Sequence, residues 1–335
     1  MNDVAINATR RWQQVEHLPI GLFGSVMGLT GLSIAWRLAH GVFSAPLWAA
    51  DAIGAVAMAA FIAVAIGYGI KIATARQSVI DEFHHPIAGS LFGTLFISLL
   101  LLPILLAPMN LLLARTLWVL GAVGMMVFAW VIVSRWMSER QQAAHATPAW
   151  IVPVVGLLDV PLAIPALGFD PVYATSLHQL MVMDLAVGLF FAIPLFTMIF
   201  SRLLFEPSMP DALQPTLLIL VAPFAVGYST YTVTNGTSDL FAQTLYMLTL
   251  FMLALLLGRL RKLPSCCPFR FAWWSVSFPL AASAIACLRY AAFAPGWITY
   301  AVAIATLALA TLAILALFVR TLLGLARGEL HTLSS

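Results

Sequence analysis

Apolar runs of about twenty residues alternate with short polar links along almost the whole chain, from Leu18 to Leu323. A helix needs roughly 20 apolar residues to cross a hydrocarbon core about 30 Å thick, so each run reads as a transmembrane helix. Ten are predicted, over 18–39, 48–70, 86–106, 112–134, 149–168, 174–200, 214–233, 238–258, 271–291 and 297–322. Residues 1–17 and 324–335 then flank one transmembrane domain, 18–323, and an even span count leaves both flanks on the same side. The first segment is polar and lacks a small-residue cleavage site, so no removable signal peptide is expected.

The spans pair into five hairpins, because links such as Phe169 to Tyr173 are short whereas those such as Lys71 to His85 and Arg259 to Arg270 are longer and basic. Odd-numbered spans carry internal glycine or proline, and even-numbered spans are uniformly bulky. Gly28, in a stripe with Gly21, Gly24 and Gly31, marks span one; Gly93 marks span three; Pro153 span five; Pro223 and Gly227 span seven; Ser275 and Pro279 span nine. Small, kinked helices inside and bulky ones against lipid is the arrangement this pattern predicts, with those residues lining a passage. Close helix packing without a passage is the alternative use of small residues.

Span nine is the most informative. At 100° per residue, Trp274, Phe278, Ala281, Ile285 and Arg289 share one helix face, which puts Arg289 roughly 16 Å beyond the Phe278 ring. Pro279 cannot donate a hydrogen bond to the carbonyl of Ser275, and a freed carbonyl is tolerated at membrane depth only beside protein or water. An apolar plug beneath a positive mouth is the expected arrangement.

The composition agrees: 62% of the 335 residues are hydrophobic and 9% charged, against about 25% charged in soluble domains. No link is long enough for a separate catalytic domain, so no enzyme activity and no cofactor are expected. Thirteen Lys and Arg, including Arg10 and Arg11, fall on the side of the termini, and only Arg37, Arg115 and Arg289 on the other. Basic excess marks the cytoplasmic side, so both termini are expected in the cytoplasm and Arg289 at the outer mouth. The net charge of +3 therefore reports orientation, not an affinity for nucleic acid. Cys266, Cys267 and Cys287 have neither a metal nor a disulfide spacing and read as free thiols.

The segments LPIGLFGSVMGLTGLSIAW, His85-Pro86, TPAWIVPVVG, VAPFAVGYSTY and WWSVSFPLAA, one in each odd span, resemble the tellurite-resistance and dicarboxylate transporter family, which includes bacterial TehA and the plant guard-cell slow anion channels. The resemblance covers essentially the whole chain. It implies five tandem helical hairpins with quasi-fivefold symmetry around a pore, a homotrimer in a bacterial inner membrane, and transport of inorganic or small organic anions. It also implies a phenylalanine gate in the ninth span, which corresponds here to Phe278.

Asp159 and Asp184 fit a plain anion pore less easily. Each lies about twelve residues from the turn joining spans five and six, which predicts one common depth near mid-membrane. Two carboxylates close together cannot both ionise cheaply, so one is expected to hold a proton, unless each faces a different neighbour as a neutral donor. Two functions follow: an anion channel gated by Phe278, or a proton-coupled carrier or exporter of a dicarboxylate or oxyanion such as malate, sulfite or tellurite. A haem protein is disfavoured, because His84 and His85 lie at the opposite end of their spans from His178.

Overall fold

The computed structural model describes residues 16–261 and 268–334; Arg10, Arg11, Lys262, Cys266 and Cys267 lie outside the described residues. Among the described residues the chain is helical without strands, and ten helices are long and apolar enough to span a bilayer. They are Ile20–Phe43, Leu47–Thr74, Ala88–Leu106, Leu111–Ser138, Pro148–Leu167, Pro171–Phe205, Asp211–Asn235, Leu240–Leu260, Phe271–Phe293 and Trp297–Ala326, numbered here as spans one to ten. This is a multi-pass membrane protein. Two short helices, Arg76–His84 and Leu330–Ser334, were invisible to hydropathy because they are brief and polar.

The two classes of span separate by burial. Between 61% and 83% of each odd span's most apolar window is buried, against 22% to 39% for the even spans. The odd spans touch in the cyclic order one, three, five, seven, nine and back to one. Each even span wedges between two of them: two against one and three, four against three and five, six against five and seven, eight against seven and nine, ten against nine and one.

Every inner span begins as a 3-10 helix before turning α-helical, at Ile20–Leu22, Ala88–Phe92, Pro148–Ile151, Asp211–Val221 and Phe271–Val276. Prolines precede or open each start, at Pro19, Pro86, Pro148, Pro210 and Pro268. The first turns close alike, with three-residue hydrogen bonds donated by the amides of Leu22, Ser90, Trp150, Leu213 and Trp273 to the carbonyls of Pro19, Ile87, Thr147, Pro210 and Arg270. Tighter winding leaves carbonyls without their α-helical partners, and hydroxyls three residues on take them up: Ser25 donates to Leu22, Thr94 to Leu91, Thr216 to Leu213 and Ser277 to Trp274.

The glycine stripe of span one is a packing seam against span nine. A Cβ on Gly28 would lie 2.1 Å from Ser277 Oγ, and one on Gly31 would lie 2.9 Å from the Ala281 Cβ. Ser277 also donates to the Gly24 carbonyl at 3.2 Å across the same seam. At the start of span one, the buried pair of Lys71 and Glu82 (2.8 Å) acts as a clamp: Lys71 Nζ donates to the Leu18 carbonyl and Glu82 Oε1 accepts the amide of Ile20.

Gly28→Ala is therefore expected to lower the thermal unfolding midpoint of the detergent-purified protein, with overpacking costing about 1–3 kcal/mol. Gly41→Ala, where an added Cβ meets nothing within 4 Å, serves as the control and should leave the midpoint in place. Equal midpoints for both variants would contradict the seam.

Candidate functional site

Inside the ring of inner spans lie two cavities, one above the other. The cavity on the side of the chain termini holds about 270 Å³ and takes wall residues from all five inner spans, among them Gly24, Thr94, Asp159, Thr216 and Ser275. The cavity on the far side holds about 280 Å³ and is again walled by all five, through Arg37, Leu101, Pro165, Ser229 and Arg289. No residue of an even span lines either one among the described residues. The mouth of the first cavity is bordered by Leu333 and Ser334, from the short helix after span ten.

Among the described residues only Phe278 and Val226 line both cavities, and they form the partition. Phe278 stands at the second position of the α-helical part of span nine, beside Pro279, and is 8% exposed; Val226 on span seven is 2% exposed. The ring of Phe278 rests over Gly31, where an added Cβ would sit 3.6 Å from its Cδ2. A glycine at that point gives the aromatic side chain its seat. The far wall then continues along span nine through Ala282 and Ile285 to Arg289.

The residues expected to line a passage divide in two. Ser275, Phe278 and Pro279 line the cavity on the terminus side, and Phe278 and Arg289 the far one. Gly28, Gly93, Pro153, Pro223 and Gly227 are buried but line neither. Their glycines face neighbouring helices: Gly93 lies against Val152 and Phe128, and Gly227 against Leu189 of span six. Absent side chains here let helices approach, and the cavity wall is made by residues one position away or on the next turn, such as Val152, Ala222 and Val226.

Span five is the least α-helical of the five, holding one α-turn, Val152–Val155, between 3-10 segments that run to Leu167. Its prolines at 148, 153, 161 and 165 remove amide donors, and neighbours supply replacements. Thr230 Oγ1 donates to the Leu158 carbonyl, and Trp118 Nε1 to that of Val160 at 2.9 Å. Asp159 sits between these two points, 1% exposed, facing the cavity with its Oδ1 unpartnered.

Asp184 lies elsewhere. It belongs to the inward stripe of span six with Met181, Gly188 and Ala192, is fully buried, lines neither cavity, and neither carboxylate oxygen has a hydrogen-bond partner. The two acids are thus not paired. Leu158, next to Asp159, packs onto Gly188, one turn along span six from Asp184.

The electrostatics of the two cavities differ. Among the described residues one acid and one base, Asp159 and Arg270, line the first, whereas Arg37 and Arg289 line the second with no carboxylate in its wall. Arg115, the third arginine of that side, is used structurally, donating to the carbonyls of Leu167 and Gly168. Sequence reasoning missed Val226 and Arg37. A valine in an apolar span carries no distinguishing signal, but Arg37 shares about 80° of one helix face with Met27 and Ile34, the same test that singled out Arg289.

Comparison with known proteins adds the family context. The SLAC1 profile, described as voltage-dependent anion channel, matches residues 17–322. The chain is similar to the S-type anion channel SLAH3 of Arabidopsis thaliana, 26% identical over 329 residues that cover 96% of this chain and 50% of that protein. It is similar to the guard cell S-type anion channel SLAC1 of the same plant, 24% identical with 96% and 58% covered. A third relative, the tellurite resistance protein TehA homolog of Haemophilus influenzae, is 29% identical over 235 residues, 68% of each chain. The chain spans between about half and three fifths of the length of these two plant relatives.

Proposed function

This chain belongs to the SLAC1 family of voltage-dependent anion channels, and from that premise we propose that it conducts small inorganic or organic anions through the ring of its five odd-numbered spans, with Phe278 as the occluding gate. The observation that carries the reading is the partition: two cavities walled by the same five spans share, among the described residues, Phe278 and Val226 alone. An apolar constriction of this kind excludes ions by bulk and by shedding water, so it closes the passage without a fixed charge. The seat over Gly31 supports a ring held in one position.

We place the protein in a bacterial cytoplasmic membrane with both termini inside, a reading supported by the thirteen-to-three distribution of basic residues. The cavity on the terminus side then opens to the cytoplasm, and the far cavity with its two arginines opens outward. A homotrimer follows from the family resemblance. Each protomer is proposed to conduct by itself, since one chain supplies all five walls.

A proton-coupled carrier is the second reading, favoured by one observation: Asp159 faces the inner cavity with an oxygen that no protein group satisfies. Asp184 is the weaker proton site because it lines neither of the two cavities.

Phe278→Ala is expected to raise anion flux per folded protein in liposomes by about tenfold or more, equivalent to removing roughly 1.4 kcal/mol from the barrier. Phe278→Leu should fall between alanine and wild type. A purely structural phenylalanine would instead cost about 3–5 kcal/mol of stability on truncation and give no gain in flux.

For the carrier reading, Asp159→Asn is expected to abolish pH-driven uphill uptake while sparing passive exchange, and Asp184→Asn to leave both in place. Uphill transport surviving unchanged in both variants would eliminate the carrier.

Arg289→Gln should lower flux at low ionic strength, with the deficit shrinking as salt rises, because screening shortens from about 30 Å at 0.01 M to about 3 Å at 1 M. A deficit that ignores salt points to folding instead.

A further inference from the structure

We propose that the cavity on the side of the termini is a binding site for a small aliphatic ammonium ion, its charged head beside Asp159 below the Phe278 partition and its hydrocarbon tail along the apolar wall toward the mouth. The site itself depends only on the geometry of this cavity; that its occupant blocks anion flux rests on the reading of the ring as an anion passage.

Asp159 is 1% exposed, its Oδ1 has no hydrogen-bond partner, and no ion pair among the described residues includes it. A buried carboxyl in that condition costs free energy until a donor reaches it. The wall hydroxyls do not serve, because they are turned to the backbone: Thr94 donates to the Leu91 carbonyl, Thr216 to that of Leu213, Ser275 to that of Ala272 and Ser334 to that of His331. Trp274 Nε1 donates to Thr321 of span ten at 2.9 Å. Away from Arg270, the side-chain polar atoms that the described wall presents to the cavity are therefore acceptors. An ammonium group, with three N–H donors and one positive charge, is complementary to them, and an anion is not.

The placement of the two charged residues orients the ligand. Arg270 immediately precedes span nine, at the mouth that Leu333 and Ser334 border. Asp159 belongs to the closed end: the carbonyl of its neighbour Leu158 accepts from Thr230, and Leu158 Cδ1 lies 3.9 Å from where a Cβ on Gly227 would sit, one residue from Val226 of the partition. Between the acid and the mouth the wall is apolar, with Met27, Ile97, Val155, Ile219 and Trp274 among its residues. The space of about 270 Å³ is close to the lower end of small-molecule pockets, about 300 Å³, so it suits a chain of a few methylenes. A second ammonium at the far end of that chain would face Arg270, which restricts the ligand to one charge. Nor does the head pass beyond the partition, because the next cavity carries Arg37 and Arg289, and Asp51, 2.6 Å from Arg37, neutralises only the first. The ion is a plug, not a cargo.

The test is thermal unfolding of the full-length protein in detergent at fixed pH and ionic strength, titrated separately with hexylammonium, its diammonium analogue, hexanol and hexanoate. Hexylammonium should raise the midpoint saturably, with hexanol about tenfold weaker and the diammonium ion and hexanoate weaker still. Each methylene from butylammonium to hexylammonium should tighten binding by about three- to fourfold. Asp159→Asn should weaken hexylammonium by about tenfold and leave hexanol unchanged. Gly24→Leu, which grows a side chain from a wall position where an added Cβ meets nothing closer than 3.8 Å, should weaken both, and it decides the matter if the Asp159 variant does not purify folded. Equal stabilisation by hexanol or hexanoate, or a hexylammonium affinity unchanged in either variant, overturns the proposal. Chloride flux in liposomes, measured alongside, should fall over the same range of hexylammonium concentration. Stabilisation without block supports the site and counts against the anion passage, so the two failures are distinguishable.

Discussion

A bilayer offers no water to satisfy a stray amide or carbonyl, and the architecture of this protein follows from how its inner spans meet that constraint. Five helices that begin tightly wound, four of them containing or beginning with proline, would each strand several carbonyls in hydrocarbon. Here the hydroxyls of Ser25, Thr94, Thr216 and Ser277 take up carbonyls within their own spans, and Thr230 and Trp118 reach across to span five. Irregular backbone is kept away from lipid by the even spans wedged around the ring. Regular, bulky helices occupy the outside because they alone need no help from neighbours.

The same constraint organises the interior. The inner spans change from 3-10 to α winding along their length, and in span nine the change falls at Ser277, one residue before Phe278. Ser277 is fixed by Gly24 and Gly28 of span one, so the seam that closes the ring also sets the height and rotation of the phenylalanine. Packing and occlusion are therefore one structural problem: small residues at 28 and 31 let span nine approach, and the approach brings the ring over Gly31.

The two halves of the interior differ in charge. Among the described residues the terminus-side cavity is lined by one acid and one base, Asp159 and Arg270, whereas the far cavity has two arginines, Arg37 and Arg289, and no acid in its wall. Asp51 and the carbonyls gripped by Arg115 show that arginine on that side is either loosely neutralised or structural, according to what stands within reach. The charge of a residue says little until its neighbours are known.

Much of the fold was legible in the sequence because it rests on local properties. Hydropathy determined the ten spans, glycine and proline marked the odd ones as the buried set, and helical periodicity placed Phe278 and Arg289 on one face of span nine. Each of these depends on residues within a few turns of one another. Contacts between helices were not legible. Gly28 turned out to face Ser277 and not a passage, since which neighbour a small residue admits depends on the rotation of two helices. That Asp159 lines a cavity and Asp184 lines neither depends on how each helix is rotated against its neighbours, and no count along the chain supplies that rotation. Val226 opposite Phe278, and Arg37 beside Arg289, became visible only when the ring closed and set residues from distant spans around one space.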